Sequence, residues 1–295
     1  MPARLILNAD DFGLTRGINR AILDLHSASV LTSATLMANG AAFDDAVEIA
    51  HAQPTLGVGC HIVLVDGIPL SPPRSVPSLI GADGKSFRST LGEFVRAILL
   101  GCIDEEDVAR EARAQIERMQ CAGVHPTHID SHKHMHLFPS IVRTLLRVAE
   151  GCGVGAVRNP FEPPWAFALG HGSGSRRLAI RLLGGFRSRF ESTLQSYEGR
   201  IRSTDGTVGI STTGELSVTT LAEILRVLPA HGTYELCCHP GYNDGDLDRV
   251  ATSLRAHRST EREALLGEVA KAMVGASSPL LVHYGSLADE EKSPL

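Results

Sequence analysis

Short apolar segments that alternate with helix-like segments constrain the fold of this chain more than any other feature. Eight segments rich in aliphatic and β-branched residues recur along it: RLILNAD, TSATLMANG, LGVGCHIVL, PTHIDSH, GAVRNP, GTVGIS, TYELCCHP and PLLVHYGS. Residues with helical periodicity separate several of them, most clearly at 17–29, 43–53, 104–122, 139–152, 218–228 and 260–273. Strands that alternate with helices imply a largely parallel sheet with both faces covered. We therefore expect an α/β fold, a (β/α) barrel or a close relative of it, formed by one domain over residues 1–295.

Two segments interrupt this alternation. Residues 66–90 are rich in proline, glycine and serine, and residues 160–200 begin with PFEPPW. We expect both to be loop insertions that rise from the catalytic face and form walls of a substrate groove. Within the second, residues 171–190 contain five arginines among leucines and phenylalanines and no acidic residue. This composition is compatible with peripheral contact with an anionic membrane and also with a solvated helix packed on the barrel.

Charge and cysteine usage exclude several classes of protein. The formal net charge of −5 provides no positive field to attract a phosphate backbone, so nucleic acid is not an expected partner. No apolar run approaches the roughly 20 residues that a bilayer span needs, and no signal peptide is visible. The six cysteines include no C-x-x-C pair, which predicts reduced thiols in the cytoplasm. The sequence leaves a homo-oligomeric state open.

Polar residues with metal-binding or acid–base chemistry lie at the carboxyl ends of the predicted strands. Six residues have this position: Asp10, Asp11, His61, His132, Arg158 and His239. Active sites of barrels collect at that end, because the loops that follow the strands meet there. Strand ends are also polar simply because the chain leaves the core, but that explanation accounts poorly for six such residues.

The adjacent carboxylates of NADDFG suggest a division of labour in which one ligates a cation and the other acts as a base toward water. Successive strand side chains point to opposite faces, so both can reach one site only if the chain bends, and Phe12-Gly13 permits a bend. The alternative is that Asp11 is the N-cap of the helix over 17–29.

Histidines supply the other candidate ligands. His61 lies in an apolar strand, where a histidine is often only a core residue. In THIDSHKHMHLFP, by contrast, four histidines occur within nine residues, and His128, Asp130 and His132 share one strand face. One carboxylate and two imidazoles from three strands would leave coordination positions open, which is the catalytic pattern. We expect one divalent metal ion, Zn²⁺ or Mg²⁺.

A further histidine, His239, ends a late strand and is followed by Pro-Gly. It could protonate a leaving amine, because an unprotonated amine anion leaves very poorly. The alternative is a histidine that only caps backbone carbonyls.

NADDFG, TSATLMANG, GVGCHIVL, THIDSHKHMH and CCHPG, in this order, resemble the YdjC-like carbohydrate deacetylases, which include chitooligosaccharide deacetylases. The resemblance covers nearly the whole chain. LMANG, VLVDGIPLSPP and RNPFEPPW are similar to the branch of that family associated with hopanoid biosynthesis. The resemblance implies an irregular (β/α) barrel related to the polysaccharide deacetylases, and an enzyme that removes acetate from N-acetylglucosamine, on a hopanoid lipid or on a soluble chitooligosaccharide.

The resemblance also implies roles for single residues. Asp11, His61 and His132 become the metal ligands, Asp10 the base and His239 the acid, while Arg158, His134 and His283 are expected to contact substrate. A glycoside hydrolase is a competing interpretation, but its two carboxyls normally lie on different strands and need no metal. A non-catalytic sugar-binding protein is a second one.

Overall fold

A parallel β-sheet forms the centre of the computed structural model, which describes residues 2–197, 199–272 and 278–287. Its strands follow the spatial order β4-β3-β2-β1-β6-β5, and β7 pairs with the first residues of β1. The strands are β1 Arg4–Phe12, β2 Ser33–Leu36, β3 Gly57–Ile62, β4 Ile129–Ser131, β5 Gly206–Val208, β6 Thr233–Cys238 and β7 Leu280–Leu281. All the pairings between these strands are parallel.

Helices cover the sheet. They are α1 Arg16–Ser27, α2 Phe43–Ala52, α3 Leu91–Leu99, α4 Glu105–Cys121, α5 Pro139–Gly151, α6 Pro164–Phe167, α7 Gly174–Leu183, α8 Arg187–Gln195, α9 Val218–Arg226 and α10 Ala256–Ala272. Six of them match the helices expected from periodicity to within a few residues, although α10 starts four residues early and Met273 lies outside the described residues. None of the described helices is long and apolar enough to span a membrane.

The described strands form a half-barrel, so the expected α/β fold is confirmed and the expectation of a (β/α) barrel or a close relative of it is met in part. Of the eight strand-like segments, GAVRNP forms no regular strand. Its residues make single parallel bridges, Val157 to Ile129 on one side and Ala156 to Arg202 on the other. The segment ends at Pro160, which cannot donate a backbone hydrogen bond to continue a ladder.

Strand β1 lies at the middle of the sheet. Its six residues from Arg4 to Ala9 pair with β6, and its second half pairs with β2. Leu5, Ile6, Leu7, Ala9 and Phe12 are all buried, as a strand covered on both faces requires. Asp10 and Asp11, near the carboxyl end of β1, are therefore held in a strand that has partners on both sides.

The segment after β7 closes the amino-terminal end of the sheet. Tyr284 is buried, its ring stacks on His128 at 3.8 Å between centroids, and its hydroxyl donates to Glu235 of β6. Gly59 makes room for this stack, since a Cβ there would lie 2.3 Å from His128 Cε1. Tyr284, His128 and Glu235 thus place polar side chains inside the half-barrel at this end of the sheet.

Candidate active site

Five of the residues singled out in the sequence meet at the carboxyl edge of the sheet. Asp10 and Asp11 directly precede the last residue of β1, and His61 is the penultimate residue of β3. His132 and His239 directly follow β4 and β6. Because the strands are parallel, their carboxyl ends share one edge, and the loops that follow them surround one cavity.

The backbone of Asp11 explains how adjacent acids reach the same site. Asp11 has a φ of 65°, and the register between β1 and β2 shifts between Ala9 and Phe12. This left-handed conformation turns the second carboxylate back toward the face of the first. Aspartate tolerates that conformation better than most residues. The bend therefore begins at Asp11 itself, one residue before the expected Phe12-Gly13.

Asp11 is not the cap of the following helix. The N-cap of α1 is Thr15, whose hydroxyl accepts a hydrogen bond from the Ile18 amide at 3.2 Å. The capping alternative for Asp11 is thereby excluded, and its carboxylate is available for other contacts.

Asp11, His61 and His132 form a cluster with the spacing of metal ligands. Oδ1 of Asp11 lies 3.8 Å from Nε2 of His61 and 3.6 Å from Nδ1 of His132. Two ligands about 2.0–2.2 Å from a tetrahedral ion would be about 3.4 Å apart, so only small movements would bring these three atoms onto one ion. His132 keeps 19% of its side chain exposed and opens the cluster to the cavity.

Two other groups of potential ligands share Asp10, one with Cys237 and His239 and one with His61 and Asp130. Both oxygens of Asp10 accept hydrogen bonds from Arg158, so neither is free for a cation. Asp11 has only Oδ2 bonded to an arginine, and its Oδ1 faces the two imidazoles. Burial, with the charge of Asp10, raises the pKa of the Cys237 thiol well above its usual value, so the sulfur is a poor ligand. The cluster of Asp11, His61 and His132 is the most suitable of the three.

A second carboxylate orients His61. Nδ1 of His61 is 2.8 Å from Oδ1 of the buried Asp130, which leaves Nε2 directed at Asp11. A carboxylate that orients a ligating histidine is the usual support for such a ligand. Burial lowers the proton affinity of this imidazole, but Asp130 more than offsets it and raises the pKa of His61 to about 9. A cation bound at Nε2 would therefore replace a proton.

Arg158 is the central cation of the interior. It is fully buried and donates to both oxygens of Asp10 at 2.6 and 2.9 Å, and it also contacts Asp130 and Glu235 at 2.6 Å. Burial alone would raise the pKa of Asp10, yet Arg158 holds that pKa well below its ordinary value. The carboxyl group of Asp10 is consequently ionised at neutral pH.

His239 approaches the same carboxylate from the other side. Its Nε2 lies 3.7 Å from Oδ2 of Asp10, and its Nδ1 is buried without a hydrogen-bond partner among the described residues. Glu261 of α10 accepts a hydrogen bond from the His239 backbone amide at 2.6 Å and one from Gly214 at 3.2 Å. This contact fixes the backbone of His239 while its ring remains available.

Arg258, also on α10, contacts the other acid. Its Nη2 donates to Oδ2 of Asp11 at 2.6 Å, and the side chain is 1% exposed. Burial alone would raise the pKa of Asp11, but Arg258 and His132 hold it well below the usual range. Oδ1 of Asp11 faces the two imidazoles, and Oδ2 faces the guanidinium.

The cluster opens into a cavity of about 940 Å³. Its lining includes Asp10, Asp11, His61, His132 and His239, and both segments predicted as insertions contribute to it. Most of the remaining wall is apolar: Leu14, Met37, Ala41, Val63, Leu91, Val95, Met135, Leu137, Phe138, Pro160, Phe161, Ala179, Ile180, Leu182, Leu183, Ile210, Val250, Ala251 and Leu254.

The three residues expected to contact substrate have different positions. His134 lines the cavity, and burial together with Arg158 lowers its pKa to about 3, so its ring is neutral. Arg158 does not line the cavity. It is buried among the carboxylates of Asp10, Asp130 and Glu235, which require a cation beside them. His283 packs against Gly57, where a Cβ would lie 2.5 Å from the Cβ of His283. Gly57 begins β3, so His283 lies at the opposite end of the sheet from His61.

Sequence reasoning missed Arg258, Glu261 and Glu235 as parts of the site. Asp130 carried a signal, since its alternation with His128 and His132 placed it on the inward face. Arg258 and Glu261 carried none, because α10 approaches β1 from almost 250 residues away in the chain. Only the packing of that helix shows that its buried charges face the site.

Comparison with known sequences finds one matching family and individual relatives whose names agree with each other. The pattern of the family described as YdjC-like protein matches residues 4–276. A carbohydrate deacetylase of Brevibacillus brevis is 33% identical over 286 residues, which cover 96% of this chain and 99% of that protein. A chitooligosaccharide deacetylase of Klebsiella pneumoniae subsp. pneumoniae is 33% identical over 242 residues, 81% of this chain and 82% of the other.

Among solved structures, an Enterococcus faecalis V583 protein named for a supposed role in cellobiose-phosphate cleavage has a similar fold. The TM-score is 0.76 at 26% identity, and the match covers 97% of this chain and 99% of that one. The half-barrel is therefore shared along almost the full length of both chains.

Proposed function

Because the chain belongs to the YdjC-like protein family, we propose that it is a metal-dependent N-deacetylase acting on an N-acetylglucosamine unit. One observation carries this proposal. Asp11, His61 and His132 form a ligand cluster on the wall of a large cavity, and Asp10 and His239 lie beside that cluster. Amide hydrolysis needs an activated water, a base and an acid, and this set of residues can provide all three.

A divalent ion held by the cluster would polarise the acetyl carbonyl and acidify a bound water molecule. Asp10 accepts the proton of the attacking water. Its low pKa makes it a weak base, so its contribution comes from a fixed position next to the site. His239 then donates a proton to the departing sugar amine. The two imidazoles favour zinc or another transition ion over magnesium, which prefers oxygen ligands.

For the substrate, we favour an N-acetylglucosaminyl hopanoid over a free sugar. The cavity volume of about 940 Å³ is near the upper end of the roughly 300–1,000 Å³ of ligand pockets, and its walls are mainly apolar. A polycyclic lipid attached to the sugar would bury apolar surface there. Two of the polar wall residues are already engaged, because Glu162 accepts from the Gly209 and Ser211 amides and Arg187 donates to the Glu162 carbonyl.

A soluble chitooligosaccharide is the second candidate. It is supported by the name of the Klebsiella pneumoniae relative and would use the same chemistry. A longer sugar chain needs hydrogen-bonding partners along the cavity, and most of the lining residues are apolar.

Acetate release separates the candidates. Protein reconstituted with Zn²⁺ is incubated with an N-acetylglucosaminyl hopanoid in detergent and, in parallel, with diacetylchitobiose, and Asp10→Asn serves as the inactive control. We expect release from the lipid and much less from the disaccharide. Release from the disaccharide alone would refute the lipid substrate, and no release from either would favour a non-catalytic sugar-binding protein.

A lipid substrate would also need access from a membrane, and α7 with α8 offers a surface for it. Leu178 and Leu182 are 58% and 71% exposed, and Leu182 also lines the cavity. Arg181 and Arg189 are exposed, and their guanidinium groups make no ion pair or hydrogen bond within the described part of the chain. We propose that this face binds anionic lipid at the inner membrane surface.

The other three arginines of residues 171–190 contact backbone carbonyls: Arg176 that of Thr213, Arg177 that of Phe167, and Arg187 that of Glu162. Only Arg181 and Arg189 should therefore matter for lipid. Co-sedimentation with anionic and neutral vesicles would test this, with Arg181→Gln/Arg189→Gln compared with Arg16→Gln/Arg113→Gln, which removes two exposed charges elsewhere. Equal sedimentation of both variants, or none by the wild type, would refute the membrane contact.

A further inference from the structure

Asp11 presents its two oxygens to different partners. Oδ1 faces Nε2 of His61 and Nδ1 of His132, whereas Oδ2 accepts a hydrogen bond from Nη2 of Arg258 at 2.6 Å. A carboxylate can otherwise bind a cation through both oxygens. We propose that Arg258 restricts Asp11 to one-oxygen ligation and so keeps the coordination number of the metal low. This inference depends on the metal site of the proposed function.

Arg258 is held in place along its whole length. Its Nε donates to the Leu254 carbonyl at 2.9 Å, and its backbone carbonyl accepts from the Gly241 amide at 3.2 Å. A Cβ at Gly241 would lie 3.0 Å from Cδ of Arg258 and 3.1 Å from Ile18, so the glycine after His239-Pro240 leaves space for the arginine stem. A side chain fixed in this way can hold the carboxylate plane of Asp11 in one orientation.

Among the described residues, Asp11 is the one acid that forms an ion pair with the Arg258 guanidinium, and Glu261 on the same helix interacts with it only at longer range. Within the described residues, Nη1 of Arg258 is buried without a hydrogen-bond partner. A buried arginine that served only to attach α10 to the sheet would be expected to satisfy more of its five donors. Its one charged contact is with a proposed metal ligand, which indicates a role at the metal site.

Such a contact has a cost for metal affinity. The guanidinium repels a cation bound at the same carboxylate. An opposite charge within about 4–6 Å weakens the proton affinity of a carboxylate roughly tenfold to a thousandfold, and it should weaken cation affinity in the same direction. The positioning of Asp11 therefore comes with a weaker affinity for the ion.

Cobalt binding to the full chain tests the inference without relying on turnover. Co²⁺ in four-coordinate sites absorbs visible light more strongly than in six-coordinate sites, so a titration reports affinity and coordination together. Arg258→Met should bind Co²⁺ at least about tenfold more tightly, and its absorption bands should be weaker because Asp11 becomes bidentate. The metal-induced rise in Tm should exceed that of the wild type by about 3 °C.

Arg255→Met is the matched control. Arg255 lies just before α10 and contacts Asp248 and nearby backbone carbonyls, away from Asp11, so its variant should have the wild-type spectrum. If Arg258→Met does not fold, Arg258→Lys has a shorter side chain with one point of donation and should lose part of the band intensity.

The outcomes are distinguishable. A wild-type Co²⁺ spectrum and an unchanged metal-induced Tm shift in Arg258→Met, or an unchanged spectrum in Arg258→Lys, would refute the role of Arg258 alone. Failure of the wild-type protein to bind Co²⁺ would refute the metal site, and with it the proposed function.

Discussion

Metal binding should depend on pH through one residue, His61. The Asp130 carboxylate raises the pKa of His61 to about 9, against the 6.5 of a free imidazole. Burial lowers the pKa of the other imidazole, His132, and Arg258 keeps Asp11 ionised. At neutral pH the incoming ion therefore has one proton to displace, that on Nε2 of His61.

The magnitude follows from that pKa. At pH 7 the neutral fraction of His61 is about 1%, because pH 7 lies two units below 9, so the apparent affinity is about 100-fold weaker than the intrinsic one. The sign is fixed by the raised pKa: affinity increases about tenfold per pH unit up to pH 9 and levels off above it.

Isothermal titration calorimetry with Zn²⁺ or Co²⁺ between pH 6 and 8 measures both quantities, because the enthalpy in buffers of different ionisation heat gives the number of protons released. We expect about one proton at pH 7. In Asp130→Asn, the pKa of His61 should return toward 6.5 and release should fall to about a quarter of a proton. An affinity that does not change with pH between 6 and 8 would refute the assignment of His61 as a ligand.

Three further predictions follow from the site. Asp10→Asn should retain metal binding but lose about 10²- to 10⁴-fold in deacetylation rate, whereas His132→Ala should lose both; normal turnover by Asp10→Asn would contradict the role of the base. Arg158→Met should lower the free energy of unfolding by at least about 3 kcal/mol in urea denaturation, because Asp10, Asp130 and Glu235 lose their shared cation; a change below about 1 kcal/mol would contradict this. His283→Ala should leave kcat/KM unchanged, since His283 packs on Gly57 at the far end of the sheet; a loss similar to that of Asp10→Asn would place His283 in the cavity.

Periodicity predicted seven of the strands and six of the helices because each of these elements buries one face or both, and burial imposes a pattern on the sequence. The pattern is weaker where contacts are polar or few. Residues 155–160 have the composition of a strand but form only single bridges. Helices α7 and α8, with Leu178 and Leu182 exposed, have no clean apolar stripe and were expected to be part of a loop insertion.

The same limit applies to the candidate site: a sequence pattern marks some of its residues but not their backbone conformation or their buried contacts. Chemistry-bearing residues at strand ends stand out in the sequence against apolar neighbours, and the structure brings five of them together: Asp10, Asp11, His61, His132 and His239. Their roles in catalysis and metal binding stay predictions. The orientation of Asp11 depends on a backbone conformation, φ of 65°, that no sequence pattern specifies. The sequence predicts that Arg158 contacts substrate, and the structure places it among three buried carboxylates. An arginine at a strand end has the same sequence pattern in either position.

The pairing of β1 has a consequence for how the protein is made. Residues 4–9 leave the ribosome long before their partners on β6, residues 233–238, and before residues 280–281 of β7. At roughly 5–20 residues per second, synthesis takes about 10 to 50 s to reach β6, and β1 remains unpaired on that side meanwhile. Asp10 likewise cannot pair with Arg158 until 148 further residues have been synthesised. The three ligands Asp11, His61 and His132 are all made by residue 132. Arg258, which holds Oδ2 of Asp11, comes 126 residues later. A growing chain therefore has the ligands before it has the guanidinium that orients one of them.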